Sequence, residues 1–282
     1  SERGRIGLVP GHRLEEVLPA LHAAARARAA QMNARVIVYK DFAKKNTRVF
    51  DAFCGLGLAK MVSYPGTRMG LKGAGFESHL KTLKSSRRYK IRKKLERGRD
   101  AAQLRGEVVQ HPSPPLVEEI FALYRQTYQK GKIKFERMTP QFFRAMAGED
   151  LCHFVLLRRV EDAGLAAFMM CLRVDSRVVN KFVGLDYGVA AEAFLYFRLY
   201  EHAVDWASRA GAREFHSGQG TYASKLELGH GLIPLYNYFE HQSPLLHRLF
   251  ARLARSLTWS RLDGDLKAYA AAHPETPGGT IG

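Results

Sequence analysis

Residues 181–229 read KFVGLDYGVAAEAFLYFRLYEHAVDWASRAGAREFHSGQGTYASKLELG, and this stretch decides the fold. It opens inside an apolar run, Arg177 to Leu185, whose β-branched residues read as a strand. A polar corner follows. A long helical pattern then runs from about Ala193 to Ala210, and Gly211 stands where a chain leaves a helix in the left-handed conformation. Glu214-Phe215-His216 reads as a short strand that ends in a polar, glycine-rich loop. Strand, long helix and strand in that order make an α/β layer.

Upstream, His153 to Arg159 and Leu165 to Val174 read as two more strands, with Asp175-Ser176 as a hairpin turn into the third. Pro114-Pro115 opens a helix through Tyr128, since proline is tolerated in a first helical turn. Thr139-Pro140 starts another, with Thr139 as its N-cap. Glu107-Val108-Val109 is a strand. Nearer the N-terminus, Leu14 to Met32 is an Ala-rich amphipathic helix and Val36 to Tyr39 a strand. Phe42 to Phe53 reads as a helix ended by Gly55 and Gly57. Leu58 to Tyr64 and Thr67 to Leu71 read as two strands split by a Pro65-Gly66 turn. Downstream, Leu235 to His241 is a last strand. Two basic helices follow, about Pro244 to Leu257 and Trp259 to Tyr269, and Pro274 to Gly282 reads as a loose tail.

The segment Phe76 to Asp100 is the most charged. It reads as one continuous helix with Leu80, Leu83, Ile91 and Leu95 near one stripe. From Lys81 to Arg99 it carries ten Lys or Arg and a single acid, Glu96, unlike the alternating charge of a solvated helix. The whole chain of 282 residues has a net charge of +17, which points to a polyanion: tRNA or another nucleic acid, an anionic membrane, or a phosphorylated substrate. Arg87, Arg88, Lys90, Arg92, Lys93, Lys94 and Arg97 are the candidate phosphate contacts, of which a helix presents about half to one ligand. Arg248, Arg252 and Arg255 share a face and form a second basic stripe that extends the patch, with Arg248 and Arg252 as further candidate tRNA contacts. Only Tyr89 interrupts the cations with an aromatic ring, so a stacking nucleic-acid binder without activity ranks last.

Apolar residues make up 46% of the chain, enough to bury a full core in one large domain or two small ones. The three cysteines, Cys54, Cys152 and Cys171, have no zinc-ligand spacing and suit a reducing compartment. No apolar run approaches 18 residues and no secretory signal is read, so a cytoplasmic location without a transmembrane segment is expected. There is no P-loop, no HExxH and no GxSxG, and the scattered histidines predict no metal site.

The quoted stretch resembles the second half of GNAT-fold transferases of the Fem-like group. Those proteins carry a strand ending in an acidic-aromatic pair, a helix ending in glycine, a strand, and then glycines, a tyrosine and a lysine. The matching positions are Asp186 and Tyr187, Gly211, Gly218 and Gly220, Tyr222 and Lys225, and Gly229. The basic segment is similar to that group's linker through Leu80, Leu83, Ser86, Arg88, Ile91 and Arg92. The likeness covers roughly residues 40–245. It implies an α/β fold of mixed central sheets flanked by helices, in two fused GNAT-like units. Residues 1–75 are the expected N-terminal half and 76–104 the basic linker helix. Residues 105–243 are the expected catalytic half, and 244–282 the basic C-terminal helices and tail.

The resemblance also implies direct acyl transfer to an amine, forming an amide without a covalent enzyme intermediate. Acetyl-CoA members carry Q/R-x-x-G-x-G/A at the start of the long helix, where backbone N–H groups hold the pyrophosphate. Here that place reads Tyr187-Gly188-Val189-Ala190-Ala191-Glu192, with one glycine and an acid that repels phosphate. Fem-type members take their group from aminoacyl-tRNA, so the donor expected first is aminoacyl-tRNA and the acceptor a peptide or small-molecule amine. No cofactor is then needed. Acyl-CoA as co-substrate, or an acyl carrier protein, is the alternative. Lys225, Asp186, Tyr222 and His216 are the candidate catalytic residues, and Tyr187, Gly218, Gln219 and Gly220 the candidate substrate contacts. For Lys225 the readings are an anion holder, an oxyanion stabiliser, or a surface lysine. Asp186 accepts a proton or anchors a turn, Tyr222 packs on substrate or in the core, and His216 titrates or is structural. Lys132 and Lys134, in QKGKIKFER, are set in a loop over the acceptor or in solvent, and no clear antiparallel partner to the basic helix is read.

Overall fold

The computed structural model describes residues 4–131, 137–189 and 191–273; the expected tail, Lys132, Lys134 and Ala190 lie outside the described residues. In chain order the elements are α1 (Leu14–Gln31), β1 (Val36–Ala43), α2 (Thr47–Phe50), α3 (Ala52–Gly55), β2 (Ala59–Val62), β3 (Gly66–Gly70), α4 (Phe76–Lys81) and α5 (Ser85–Ala101). Next come β4 (Leu104–Val109), α6 (Pro114–Lys130), α7 (Pro140–Ala147), β5 (Cys152–Arg159), β6 (Leu165–Val174), β7 (Arg177–Leu185) and α8 (Leu195–Arg209). The chain closes with β8 (Glu214–His216), α9 (Tyr222–Glu227), β9 (Gly231–Ile233), β10 (Leu235–His241), α10 (Pro244–Ala254) and α11 (Gly264–Ala272). No helix among the described residues is long and apolar enough to cross a membrane.

The chain folds as two compact units. The first takes residues 4–66, 219–223 and 232–273; the second takes 67–218 and 224–231. These boundaries differ from the expected divisions at 75/76 and 243/244 because sheet pairing, not chain order, sets them. β3 pairs with β8 in the second unit, whereas β10 pairs antiparallel with both β1 and β2 in the first.

The second unit is built on a mixed sheet of order β4-β5-β6-β7-β8-β3-β9. β4 to β7 are antiparallel neighbours, and β7 runs parallel to β8. Strands β5 and β6 carry continuous apolar runs, Phe154 to Leu157 and Leu165 to Leu172, because both faces are covered there. Val155, Leu157, Ala167 and Met169 pack under α5 and α8. Phe154, Leu156, Phe168 and Met170 pack under α6 and α7. Burial of side chains this size contributes roughly 1.5–3 kcal/mol each. Helix α8 ends in the expected way. Gly211 has φ +79°, and its N–H donates to Ser208 O at 3.0 Å while Ala212 N–H donates to Ala207 O at 2.9 Å. Those two bonds satisfy the last free carbonyls of the helix. Thr139 caps α7, its side chain accepting from the Phe142 N–H.

The first unit has a three-stranded sheet, β1-β10-β2, with α1, α2 and α3 closing over Phe42, Phe53 and Tyr238. Three local expectations change. Phe42 and Ala43 belong to β1 instead of a helix, because each pairs with β10 and is buried. The basic segment is broken at residues 82–84, where Thr82 turns back to donate to His79 O and Lys84 is extended. Residues 259–261 form a single 3₁₀ turn, and α11 starts only at Gly264, behind Asp263 as N-cap. The strands on either side of Pro65-Gly66 do not form a hairpin, since they belong to different sheets.

Candidate functional site

The parallel pair β7 and β8 is held together over only three positions, Arg177 with Glu214, Val178 with Phe215 and Val179 with His216. Beyond that, β7 continues to Leu185 without β8. Its pairing with β6 shifts between Met170–Phe182 and Cys171–Asn180, which leaves Lys181 as a bulge that bends the strand away. Pairing of the two strands therefore ends at Val179 and His216. Side-chain polar groups fill the apex. Ser217 Oγ accepts from Asn180 Nδ2 at 2.9 Å and from the Tyr200 hydroxyl at 2.5 Å. Thr67 Oγ1 donates to the Ser217 carbonyl at 2.9 Å. Burial pushes the Tyr200 hydroxyl up to about 12, and burial next to Tyr200 holds Tyr196 well above its ordinary range.

The candidate residues behind that apex take defined roles. Lys225 is not a surface lysine: only 6% of it is exposed, and its Nζ lies 3.5 Å from the Gly218 carbonyl. His216 is buried, with Nε2 at 2.8 Å from a Glu214 carboxylate oxygen. Arg68 holds the other oxygen of Glu214 at 2.8 Å. Burial pushes the Glu214 carboxyl up, but His216 and Arg68 outweigh it and hold the group below its ordinary value. His230 lies edge-on to Tyr200 and Phe215, and neither ring nitrogen has a partner among the described residues. Burial, with Lys225, His79 and His216 nearby, holds this imidazole well below its ordinary range.

Asp186 is committed to its own corner. One carboxylate oxygen pairs with Arg159 at 3.0 Å and the other accepts from Gly188 N–H at 2.9 Å. Tyr187 lies under the Lys130 ammonium, 4.1 Å from the ring centre. Gly218 and Gly220 both have positive φ, +39° and +77°, which a side chain would strain. Three candidates fold with the first unit. Gln219 Nε2 donates to Asp41 Oδ1 and to Tyr64 O, each at 2.9 Å. Gly220 turns the chain, and Tyr222 is fully buried and donates to Pro65 O at 2.7 Å. Burial pushes the Tyr222 phenol far up. Sequence reasoning missed Asn180, Tyr200, Ser217 and His230. Ser217 stood inside the quoted loop, but the other three join it only through sheet pairing and helix packing.

Helix α5 presents the second feature. One face lines an open groove of about 780 Å³, walled by Arg87, Lys90, Lys93, Lys94 and Arg97, with Tyr89 and the single acid Glu227. Lys94 is tied to Glu227 at 2.6 Å, and Arg92, off this face, to Glu77 at 2.5 Å. Arg88, Lys90 and Lys93 make no ion pair among the described residues. Five of the seven candidate cations on α5 line this groove, more than the expected half. The far end of α5 is held by Arg198 of α8, a buried arginine that donates to Gly98 O at 2.9 Å, Ala102 O at 2.7 Å and Leu104 O at 3.3 Å. Those bonds satisfy carbonyls that a helix C-terminus leaves free. Arg248, Arg252 and Arg255 lie in the first unit, along a groove of about 980 Å³ beside α10. No group of three or more His, Cys, Asp or Glu among the described residues could hold a metal.

The comparisons agree with this geometry. No curated protein matches the chain. Among solved structures the chain is similar to L-PGS from Bacillus licheniformis, at 12% identity over 85% of this chain and 79% of that chain, TM-score 0.57. It is similar to FemX, at 12% identity over 87% and 81% of the two chains, TM-score 0.56. It is also similar to a tandem GNAT protein from the clavulanic acid biosynthesis pathway, at 12% identity over 84% and 74%, TM-score 0.51. At these identities the likeness is one of fold alone. Residues 85–226, just over half of the sequence, match the family described as Acetyltransferase (GNAT) domain, so the chain belongs to the GNAT acyltransferase family.

Proposed function

We propose that this chain transfers an aminoacyl group from aminoacyl-tRNA to the amine of a peptide or small molecule. The observation that carries the reading is the cationic face of α5. From Arg87 to Arg97 it runs about 15 Å along the helix axis at ~1.5 Å per residue. Among the described residues, four of its five cations make no ion pair with an acid. At ~3.4 Å per phosphate along a duplex axis, that length meets about four phosphates of one strand, a longer run of charge than a single nucleotide cofactor offers.

In the reaction the acceptor nitrogen attacks the ester carbonyl. A C–N bond forms, the C–O bond to the tRNA ribose breaks, and the amine proton leaves to solvent or to the departing oxygen. Lys225, a buried lysine beside the Gly218 carbonyl, opposes the negative charge that builds on the carbonyl oxygen. Asp186, already bonded to Arg159 and Gly188, acts by holding the Tyr187 corner in place and not as a free base. Tyr187 and the Gly218 loop are the proposed substrate contacts, and no cofactor takes part.

The family description favours a second reading, acyl transfer from acyl-CoA or an acyl carrier protein. The entry to α8 weighs against it: Glu192 lies there, and Ala193 is packed against Gly98 of α5. The test is a salt titration of binding with aminoacyl-tRNA and, separately, with acetyl-CoA. With four phosphate contacts, log affinity for tRNA falls with log salt at a slope of about −3 to −3.6. Lys90→Glu with Lys93→Glu abolishes most of that binding. Acetyl-CoA binding without tRNA binding would replace the first reading with the second.

A further inference from the structure

Helix α10 leaves most of its surface uncovered, and the uncovered part is apolar. At ~100° per residue, Leu245, Leu249, Leu253, Leu246 and Phe250 fill one continuous arc of about 140°. All five are between 38% and 76% exposed. His247, Ala251 and Ala254 occupy the opposite side, turned inward and half-buried or buried. Arg248, Arg252 and Arg255 form a third arc along one margin of the apolar one. The helix contains no acidic residue. The apolar surface continues past the helix. Val36 and Val38 of β1 are each 44% exposed, and they pair with His241 and Phe239, the β10 residues whose rings meet Phe250 and His247 of α10. Paired residues point to the same face of a sheet, so Val36 and Val38 flank α10.

We propose that α10, with Val36 and Val38, docks this protein on an anionic lipid surface. A patch of five large apolar side chains is costly to leave in water, and such patches mark partner or membrane contacts. A lipid surface is the occupant that matches all three arcs: acyl chains take the leucines and Phe250, anionic headgroups meet the arginine margin, and the inward side stays with the protein. With no acid on the helix, nothing opposes approach to negative charge. In this reading Arg248 and Arg252 meet lipid phosphate and not tRNA. The inference stands apart from the transfer reaction, since α10 lies in the first unit and the α5 groove in the second.

The test is flotation of the full chain with vesicles of phosphatidylcholine alone and with equimolar phosphatidylcholine and phosphatidylglycerol. The chain is expected to float with the anionic vesicles only, less so as salt rises. Leu249→Glu with Leu253→Glu, at exposed positions that leave the melting temperature as it was, lowers partitioning at least tenfold. Arg248→Ala with Arg252→Ala lowers it roughly twenty-fivefold, at about fivefold per arginine. The leucine pair is also titrated with tRNA, so loss of flotation with tRNA binding kept separates this inference from the proposed donor. It is overturned by absence of flotation, by equal flotation with neutral vesicles, or by flotation that survives the leucine substitutions. A concentration-dependent dimer that those substitutions dissolve, without flotation, would assign the face to a second copy instead.

Discussion

Gly98 lies where α5 and the entry of α8 touch, and replacing it tests how close that contact is. A Cβ added there would sit 2.6 Å from the Ala193 carbonyl oxygen and 3.1 Å from its carbon. Those are backbone atoms, so no side chain can swing aside. Relieving the contact means moving one helix by roughly 0.4–0.8 Å, and overpacking of this kind costs about 1–3 kcal/mol. Against it, alanine in a helix interior gains about 1 kcal/mol over glycine. The balance is a loss of about 0–2 kcal/mol, or a melting temperature lower by up to roughly 8 °C for a unit of this size. Gly70→Ala is the matched comparison in the same unit. Its added Cβ meets nothing within 4 Å, so the same substitution there is neutral or stabilising by up to about 1 kcal/mol. The assay is urea or thermal unfolding of both variants, followed by far-ultraviolet circular dichroism. If Gly98→Ala stabilises as much as Gly70→Ala, the contact between α5 and α8 is looser than described and the reasoning fails.

Arg198→Met removes donors to three carbonyls but also removes a buried cation, so a loss of about 2–4 kcal/mol in urea unfolding is expected; a change below about 0.5 kcal/mol would mean that water satisfies those carbonyls. The neutral burial of His230 makes stability depend on pH. Its folded pKa is lowered, so the unfolded chain takes up a proton first, and stability is full above about 6.5 and falls as pH drops below it. His230→Phe should reduce that fall by up to ~1.4 kcal/mol per pH unit, read from urea midpoints across that range, and an unchanged slope would show that His230 already titrates normally. Tyr222→Phe leaves the Pro65 carbonyl without its buried donor and should cost about 1–2 kcal/mol in the same measurement.

How much was legible depended on whether the signal was local. The strands β5, β6 and β7 were read to within one residue of their ends because each is an apolar run bounded by turn residues. Thr139 and Gly211 were read from capping chemistry alone. What failed was whatever another part of the chain decides. Phe42 looked helical because its partner Tyr236 is far away in sequence. The break at residues 82–84 was hidden because the charged pattern keeps helical spacing across it. Lys225 read equally as a site residue or as a surface lysine on a short polar helix, and only the fold, which buries it beside the Gly218 carbonyl, separates the two. The outward apolar face of α10 was invisible for the reverse reason: an amphipathic pattern says that a face exists, not which face the fold leaves uncovered.

The pairing of β1 with β10 also sets a timetable for synthesis. β10 is the middle strand of its sheet, and β1 and β2 each bond to it and not to one another. From Val62 to Leu235 the chain runs about 170 residues, which at ~5–20 residues per second takes a ribosome roughly 10–35 s. For that interval β1 and β2 have no strand to pair with, and such unpaired edges are what chaperones cover. In the second unit β3 waits in the same way for β8, from Gly70 to Glu214, but that unit's last residue is Gly231, so it is complete first. A nascent chain halted just after Gly231 would hold every residue of the second unit and, in the first, no sheet at all.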